Sequence, residues 1–342
     1  MRVLITGGLG FIGSHTVIAL LSEGYEVGII DNLHNSDLAV LTRLEKLVGY
    51  NIPFCKVDLL DKPALDKAIW DMGPFSSVIH FAAHKAVGES VEKPLKYYEN
   101  NILSLINLLK AMKKNDTNSL VFSSSCTVYG EPDQLPVNES APIKKANAPY
   151  GNTKQICEEV IQDYTTVIKG KHFISLRYFN PIGAHPSAKI GELPLGVPNN
   201  LVPFITQTAI GIREQLKIFG NDYNTADGTA IRDYINVVDL ARAHVIAVNR
   251  LIEGENISDF EVFNLGTGRG NSVLEVVKAF EKVTGEKLNY KIVDRREGDV
   301  EQVYADTKYA NEELGWKAEK ELEETLLSAW NWEKYYRSIQ KT

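Results

Sequence analysis

Two residues four positions apart, Tyr150 and Lys154, carry the side chains in this sequence best suited to moving a proton. They open the run PYGNTKQICEEVIQDYTTVI, whose apolar spacing predicts an amphipathic helix beginning just after Pro149. Residues four apart share one face of a helix, so the phenol and the ammonium can serve one site. A phenol must have its pKa lowered from about 10 to near 7 to act as a base, and a fixed neighbouring cation favours the phenolate.

A Tyr-x-x-x-Lys pair also occurs by chance on helices where the tyrosine is half-buried and the lysine solvated, so the surrounding elements decide its meaning. The N-terminal strand pattern RVLIT at 2–6 leads into GGLGFIG, a helical run at 14–26 and a second strand, VGII, which ends at Asp31. This β–loop–α–β unit is the context that a dinucleotide fingerprint requires.

Each glycine of this loop has a physical role. Gly7 permits the tight turn, Gly10 lets the backbone approach a pyrophosphate, and Gly13 lets the helix pack closely on the strand. The helix N-terminus then presents free N–H groups and a positive dipole end to the phosphates. A carboxylate at Asp31 can accept bonds from an adenosine ribose and repels a 2′-phosphate, which favours NAD over NADP.

The remaining elements alternate between strand and helix. We predict a class α/β fold, a Rossmann-type doubly wound parallel sheet with a smaller discontinuous C-terminal lobe. Residues 1–180 form the NAD-binding domain, to which part of 232–265 returns, and 181–342 form mainly the second lobe. After the first two strands, the predicted strands cover 52–57, 77–83, 119–125 and 172–180, and the predicted helices cover 62–71, 92–113 and the Tyr150 run. The strand 52–57 ends at Asp58, which we place near the adenine.

After residue 180 the pattern changes to a long Pro/Gly-rich loop at 181–200, which indicates a substrate clasp. Short elements follow at 216–220, 231–248 and 261–268, then a helix from near Ser272 and two terminal helices. The glycines at 266, 268 and 270 are interpreted as a turn into the Ser272 helix, because no acidic strand end follows them as it would after a second nucleotide loop.

Composition excludes several classes of function. Of 342 residues, 44% are hydrophobic and 24% are charged, which is typical of a globular protein, and the net charge of -7 argues against nucleic-acid binding. Three scattered cysteines predict neither disulfides nor a metal cluster, and the seven histidines show no ligand spacing. With no signal-peptide pattern and no apolar run of about 20 residues, we expect a cytoplasmic protein with no metal and no membrane partner.

Taken together, GGLGFIG, Asp31-Asn32, SSSCTVYG at 123–130 and Tyr150-x-x-x-Lys154 resemble the extended short-chain dehydrogenase/reductase family. Within it the chain is similar to the UDP-hexose 4-epimerases along nearly its whole length. The further matching segments are HFAAHKAVGESVEKP, RYFNPIGAHP, PNNLVPF, FGNDY, RDYINVVDLA and RREGD.

The resemblance implies an isomerase that interconverts UDP-glucose and UDP-galactose through a 4-keto sugar, with tightly bound NAD, in a homodimer. It implies Tyr150, Lys154 and Ser125 as catalytic residues. Tyr150, Lys154 and Tyr178 are also implied to contact NAD, together with Gly7, Gly10, Phe11, Ile12, Gly13, Asp31, Asn32, Asp58, Leu59, Phe81, Ala82, Lys85 and Asn100. Ser125 and Tyr150 are implied to contact the UDP-sugar, together with Asn180, Asn200, Leu201, Leu216, Phe219, Arg232, Tyr234, Arg296, Asp299 and Val303.

Residue types separate this chain from neighbouring activities. The related 4,6-dehydratases carry acids just before Val-Tyr-Gly for water loss, whereas this chain has Cys126 and Thr127. Non-catalytic NAD-binding redox sensors of this fold typically lack the Tyr/Lys pair. A bulky tyrosine seven residues after Arg296 resembles enzymes confined to glucose and galactose, and small residues accompany N-acetylhexosamines; Val303 is intermediate. We therefore keep two alternatives. One is a UDP-N-acetylglucosamine 4-epimerase or a dual-specificity hexose/N-acetylhexosamine epimerase, and the other, from a different class, is a non-catalytic NAD-binding redox sensor.

Overall fold

The computed structural model describes residues 1–296 and 299–340. Its strands are β1 (Arg2–Thr6), β2 (Glu26–Asp31), β3 (Phe54–Lys56), β4 (Ser77–His80), β5 (Ser119–Ser123), β6 (His172–Tyr178), β7 (Asn180–Ile182), β8 (Leu216–Phe219), β9 (Ile231–Arg232), β10 (Tyr234–Asn236), β11 (Phe260–Leu265), β12 (Asn271–Ser272), β13 (Tyr290–Val293) and β14 (Gln302–Val303). Its helices are α1 (Phe11–Ser22), α2 (Leu38–Val48), α3 (Lys62–Met72), α4 (Val87–Glu92), α5 (Pro94–Lys114), α6 (Pro149–Val167), α7 (Leu201–Ala209), α8 (Val237–Glu253), α9 (Val273–Thr284), α10 (Lys308–Glu312) and α11 (Leu322–Ile339), with a 3-10 turn at Cys126–Tyr129.

Seven strands form one parallel sheet in the order β11-β6-β5-β4-β1-β2-β3. The strand order reverses between β4 and β1, and ligands of doubly wound sheets bind beyond the carboxyl ends of the strands at this point. The predicted Rossmann-type sheet is therefore confirmed. The loops that follow β1, β2, β4 and β5 carry the predicted cofactor and catalytic residues to this edge.

The sheet is buried on both faces because successive side chains of its strands alternate between two cores. Val3 and Ile5 of β1 pack in one cluster with residues of α1, α2 and α8, and Leu4 packs in the other with residues of α3, α5 and α6. Such strands read as continuous apolar runs, which is why RVLIT was recognisable from sequence.

A second lobe is built around α7, α9 and α11, whose apolar residues form a third core with those of β8. Among the described residues, three small sheets accompany it: β10 pairs with β7, β9 pairs with β12 and β14, and β13 pairs with β8. Lys341 and Thr342, at the end of the predicted lobe 181–342, lie outside the described residues. The same is true of Glu297 and Gly298 in the motif RREGD.

Most element predictions are confirmed, with errors at the ends. The strands predicted at 77–83 and 119–125 are wrong beyond His80 and Ser123, because the chain leaves the ladder there and turns into the site. Helix α2 was not predicted, although Asp37 caps its start by accepting the Ala39 N–H at 2.8 Å and Gly49 ends it with a positive φ of 86°. Among the described residues, none of the helices combines the length and apolar character needed to cross a membrane.

Candidate active site

Helix α6 places Lys154 under the end of β5. The Lys154 side chain is buried, and its ammonium donates a 2.6 Å hydrogen bond to the Ser123 carbonyl. The same nitrogen lies 4.8 Å from the centroid of the Phe122 ring and 6.0 Å from that of Tyr150. The predicted helix therefore does bring the phenol and the ammonium to one face, although the ammonium bonds the backbone of β5 rather than the phenol oxygen.

Ser125 lies two residues after the end of β5, in an extended conformation, and caps the short 3-10 turn that follows. Its hydroxyl oxygen accepts the Thr127 N–H at 3.2 Å and the Thr127 hydroxyl at 3.0 Å. The Ser125 hydroxyl is also within hydrogen-bonding reach of the Tyr150 phenol, whose charged form that bond favours. The structure thus brings the three predicted catalytic residues together.

Burial sets the protonation states of the pair in the protein alone. It raises the pKa of Tyr150 to about 12, against the opposing effect of the Ser125 hydrogen bond. Burial lowers the pKa of Lys154 to about 8, against the raising effects of Cys157 and Glu158. At neutral pH the lysine is a cation and the tyrosine a neutral phenol, so phenolate chemistry requires a further positive charge beside Tyr150.

The glycine loop is packed so tightly that neither Gly7 nor Gly13 leaves room for a side chain. Gly7 has a φ of 72°, and a Cβ there would lie 2.8 Å from the Ala82 nitrogen. A Cβ on Gly13 would lie 2.3 Å from the Gly7 carbonyl oxygen. The N–H groups of Phe11, Ile12 and Gly13 precede the first main-chain hydrogen bond of α1, from Ser14 to Gly10, and so remain available to an anion.

The end of β2 is organised by Asp31, which is buried. One carboxylate oxygen accepts the Leu9 N–H at 3.1 Å, and the other accepts the Leu33 N–H at 2.9 Å and the Ser36 hydroxyl at 2.8 Å. Because a carboxylate has about four acceptor positions, one remains for a ligand hydroxyl. The neighbouring Asn32 donates to Asp58 at 2.9 Å, which joins the loops after β2 and β3.

The other predicted cofactor residues lie around this edge. Phe81 and Ala82 follow β4 directly, and the Tyr178 hydroxyl is hydrogen-bonded to the Ser123 side chain. Asn100 donates to Asn101 at 2.9 Å on α5. Leu59 differs from them because its side chain is buried in a core cluster, so only its backbone can face a ligand.

The predicted substrate residues converge from the second lobe. Arg232 on β9 lies beside Val303 on β14 in the strand register, and its guanidinium is 3.4 Å from the Asp299 carboxylate. A Cβ on Gly88 of α4 would lie 3.3 Å from an Arg296 guanidinium nitrogen, so Arg296 reaches the first lobe.

The remaining substrate residues differ in how much of each side chain is free. Asn180 on β7 pairs in register with Tyr234 on β10, whose side chain is buried. Phe219 is exposed at the end of β8, whereas Leu216 on the same strand is in a core cluster. Leu201 begins α7 directly after Asn200. Leu216, like Leu59, can offer a ligand only its backbone.

Two acids that the sequence did not indicate organise the site. Glu192, in the Pro/Gly-rich loop, accepts the Asn200 amide at 2.6 Å and lies 3.7 Å from the Lys85 ammonium, so it links two predicted ligand contacts across the lobes. Asp233 accepts the N–H groups of Thr267, Gly268 and Ala305. The turn predicted at 266–270 is thereby confirmed, since it packs on Asp233 and leads into α9, capped by Ser272.

Comparison with known proteins gives the family. Residues 4–328 match the family model described as GDP-mannose 4,6 dehydratase. The UDP-glucose 4-epimerase of Bacillus subtilis is 49% identical over 97% of each chain, and UDP-glucose 4-epimerase 2 of Arabidopsis thaliana is 53% identical over 96% of this chain and 94% of that one.

Solved structures agree over the full length. A UDP-glucose-4-epimerase from Stenotrophomonas maltophila, with bound NAD and formylated UDP-arabinopyranose, is 44% identical with a TM-score of 0.95 over 99% of both chains. The Bifidobacterium longum UDP-glucose 4-epimerase, in complex with NAD+ and UDP, is 43% identical with a TM-score of 0.94 over 98% of this chain and 99% of that one. The fold, the assembled Tyr–Lys–Ser site and these relatives together place the chain in the UDP-glucose 4-epimerase family.

Proposed function

We propose that this protein interconverts UDP-glucose and UDP-galactose through a 4-keto sugar, with NAD retained in the fold. The observation that carries the proposal is the joint placement of Tyr150, Ser125 and Lys154 at the carboxyl edge of the sheet, beside the glycine loop. The family relatives named above support it.

The residues at the switch point fit NAD. A loop that excludes even a methyl group at Gly7 and Gly13 brings backbone close to a pyrophosphate, and the open N–H groups of α1 favour its negative charge. The remaining acceptor position of Asp31 suits an adenosine ribose hydroxyl. In this proposal the other cofactor contacts are the residues assigned above to NAD from the sequence.

C4 of a hexose is unactivated, so inversion through a carbanion is implausible and oxidation followed by reduction is required. When bound, NAD supplies the acceptor that takes the C4 hydride and returns it to the opposite face of the 4-keto sugar. Tyr150 removes the proton of the 4-hydroxyl and later returns it. Lys154, whose ammonium lies 6.0 Å from the centroid of the Tyr150 ring, offsets part of the phenolate charge. The further positive charge that the burial of Tyr150 demands would come from a bound, oxidised nicotinamide.

Ser125 positions the reacting oxygen. Its hydroxyl is held by Thr127 and reaches Tyr150, so a 4-hydroxyl placed between the two would be bonded as its proton leaves. This assignment needs no acid on the 3-10 turn. Cys126 and Thr127 occupy the positions where dehydratases carry acids, which favours epimerisation over water loss.

The diphosphate would be held by the guanidinium groups of Arg232 and Arg296, since these can bind phosphate oxygens in a bidentate manner. Asn180, Asn200 and Phe219 lie with them in the lobe that we assign to the UDP-sugar. We keep the division proposed from sequence, with 1–180 and part of 232–265 as the NAD domain and 181–342 as mainly the substrate lobe. The contribution of β11 and α8 to the first lobe supports it.

Val303 supports a second candidate substrate. Its side chain is buried in a small apolar cluster beside Arg232, and it occupies less volume than the tyrosine of strictly glucose- and galactose-specific enzymes. We infer partial tolerance of UDP-N-acetylhexosamines. No conversion of UDP-GlcNAc, under conditions that fully equilibrate UDP-galactose, would remove this candidate.

A second copy of the chain is the partner that we propose. Leu95 and Leu103 on α5 and Val167 on α6 are exposed apolar side chains, and these two helices cover one face of the sheet. Sedimentation velocity tests whether the protein is a homodimer.

Three free cysteines support a cytoplasmic, reducing location.

The decisive experiment incubates purified protein with UDP-galactose and with UDP-GalNAc, without added NAD, and identifies the products. Formation of UDP-glucose shows both the reaction and the retained cofactor. A protein that binds NAD but converts neither sugar would instead be a redox sensor of this fold.

A further inference from the structure

A fully hydrogen-bonded carboxylate lies directly behind the catalytic residues. Glu158 follows Lys154 by one turn of α6 and is buried. It accepts the hydroxyls of Ser124 at 2.6 Å and Ser175 at 2.7 Å, and the Arg177 guanidinium at 2.5 Å.

Ser123, Ser124 and Ser125 form a serine run from the end of β5 to the start of the 3-10 turn, and the bond to Glu158 fixes Ser124 in its middle. On one side of it, the Ser123 carbonyl accepts the Lys154 ammonium at 2.6 Å. On the other side, the Ser125 hydroxyl reaches Tyr150. A shift of Ser124 therefore moves a catalytic hydroxyl and the anchor of a catalytic cation together.

Arg177 extends the same network to the far end of the 3-10 turn. Its guanidinium donates to the Tyr129 hydroxyl at 2.9 Å, and that hydroxyl donates to the Asn264 amide oxygen at 2.7 Å on β11. Ser125 caps the start of this turn and Tyr129 ends it. The turn is thus held at both ends by one buried Arg–Glu pair.

Buried ion pairs are weak evidence for stability, since apolar residues of similar volume often replace them without loss. We propose that the Glu158–Arg177 pair is a positioning unit, which holds Ser125 and Lys154 in place relative to Tyr150. The inference rests on the proposed epimerase function and deepens it.

The negative charge of Glu158 affects the pKa of Lys154, and this effect distinguishes a positioning role from a purely structural one. Among the described residues, the titratable groups around Lys154 are Tyr150, Cys157 and Glu158 on its own helix and His80 from β4. Tyr178 from β6 bonds the side chain of Ser123, the residue whose carbonyl Lys154 contacts. The Glu158 carboxylate favours the cationic lysine, so its loss lowers the pKa of Lys154. Because the reaction needs the charged lysine, the loss of activity at alkaline pH then begins at a lower pH than in the wild type.

The chain contains a matched control. Arg250 and Glu261 form a second buried pair, with bonds of 2.8 and 2.9 Å, between α8 and β11. Glu158→Gln and Glu261→Gln each remove one buried carboxylate charge from a bidentate guanidinium. Only the first touches the serine run.

The test compares wild type, E158Q and E261Q by kcat and KM for UDP-galactose across pH, by thermal unfolding and by calorimetry of UDP binding. We expect E158Q to lose at least ~10-fold more kcat than E261Q, because small misplacements of reacting groups cost this much. The alkaline limb of the kcat–pH profile of E158Q should lie at lower pH than that of E261Q, and the two variants should bind UDP with the same affinity. Equal kcat and equal alkaline limbs in the two variants would overturn the inference, whereas an inactive wild type would overturn the proposed function.

If E158Q does not fold, the two hydroxyls that Glu158 accepts provide a milder comparison. Ser124 and Ser175 are both fully buried and make bonds of similar length to Glu158. Ser124→Ala should lower kcat severalfold more than Ser175→Ala at similar melting temperatures. Equal effects would overturn the inference.

Discussion

Replacing Tyr150 with phenylalanine removes one oxygen and should separate catalysis from folding. Among the described residues, Ser125 lies within hydrogen-bonding reach of the phenol hydroxyl, and it keeps its contacts with Thr127 when that oxygen is removed. The loss of such a bond costs about 1 kcal/mol of unfolding free energy. The loss of the group that accepts the substrate proton should cost at least ~1,000-fold in kcat, or about 4 kcal/mol in the barrier.

The assay follows conversion of UDP-galactose to UDP-glucose, with urea unfolding and release of bound NAD measured on the same samples. Tyr164→Phe on the same helix is the matched control. The Tyr164 hydroxyl is buried without a hydrogen-bond partner among the described residues, and its ring stacks on Phe173 at 6.0 Å between centroids. That control should keep full activity and at least wild-type stability. Near-normal turnover in Tyr150→Phe, with NAD retained, would refute the acid/base assignment.

Three further predictions concern the cofactor loop, acid stability and substrate range. Gly13→Ala should fold but lose bound NAD, since its Cβ would lie 2.3 Å from the Gly7 carbonyl oxygen; NAD content after gel filtration measures this, and full retention would contradict it. Burial lowers the pKa of His15 and His80 to about 3 and that of His244 to about 4, so the unfolded chain binds protons below pH 6.5 that the native one does not. Stability should therefore be full above pH 6.5 and fall by about 1 kcal/mol per histidine by pH 5.5, which urea unfolding at the two pH values tests; equal stability would contradict it. Val303→Tyr should suppress conversion of UDP-GlcNAc at least ~10-fold more than that of UDP-galactose, because the added ring fills a small buried cluster; parallel losses in the two rates would contradict it.

The sequence was sufficient wherever one local pattern carries the meaning. The glycine loop, Asp31 and the Tyr150–Lys154 spacing each lie within one element or one turn, and their geometry follows from the periods of strand and helix. Helix α2 could also have been predicted, because Asp37 and Gly49 are ordinary start and stop signals.

The rest depends on residues that are distant in the chain. Strands β9, β12 and β14 have two residues each and come from 231, 271 and 302, so no periodicity marks them. Glu192 is one acid in an irregular loop until folding brings it to Lys85 and Asn200. In the sequence Glu158 resembles a solvated position on a helix. Only the bonds that it accepts from Ser124, just after β5, and from Ser175 on β6 reveal a buried carboxylate.

Strand β11 also determines when the first lobe can fold while the chain is being synthesised on the ribosome. It is the last strand of the seven-stranded sheet and pairs with β6 from Phe260 to Leu265, more than 80 residues after β6 has been made. Until then the exposed edge of β6 is a template for pairing with other chains. A nascent chain therefore cannot close its first lobe until β11, which lies about midway through 181–342, has left the exit tunnel, and a fragment ending at 180 should aggregate rather than fold.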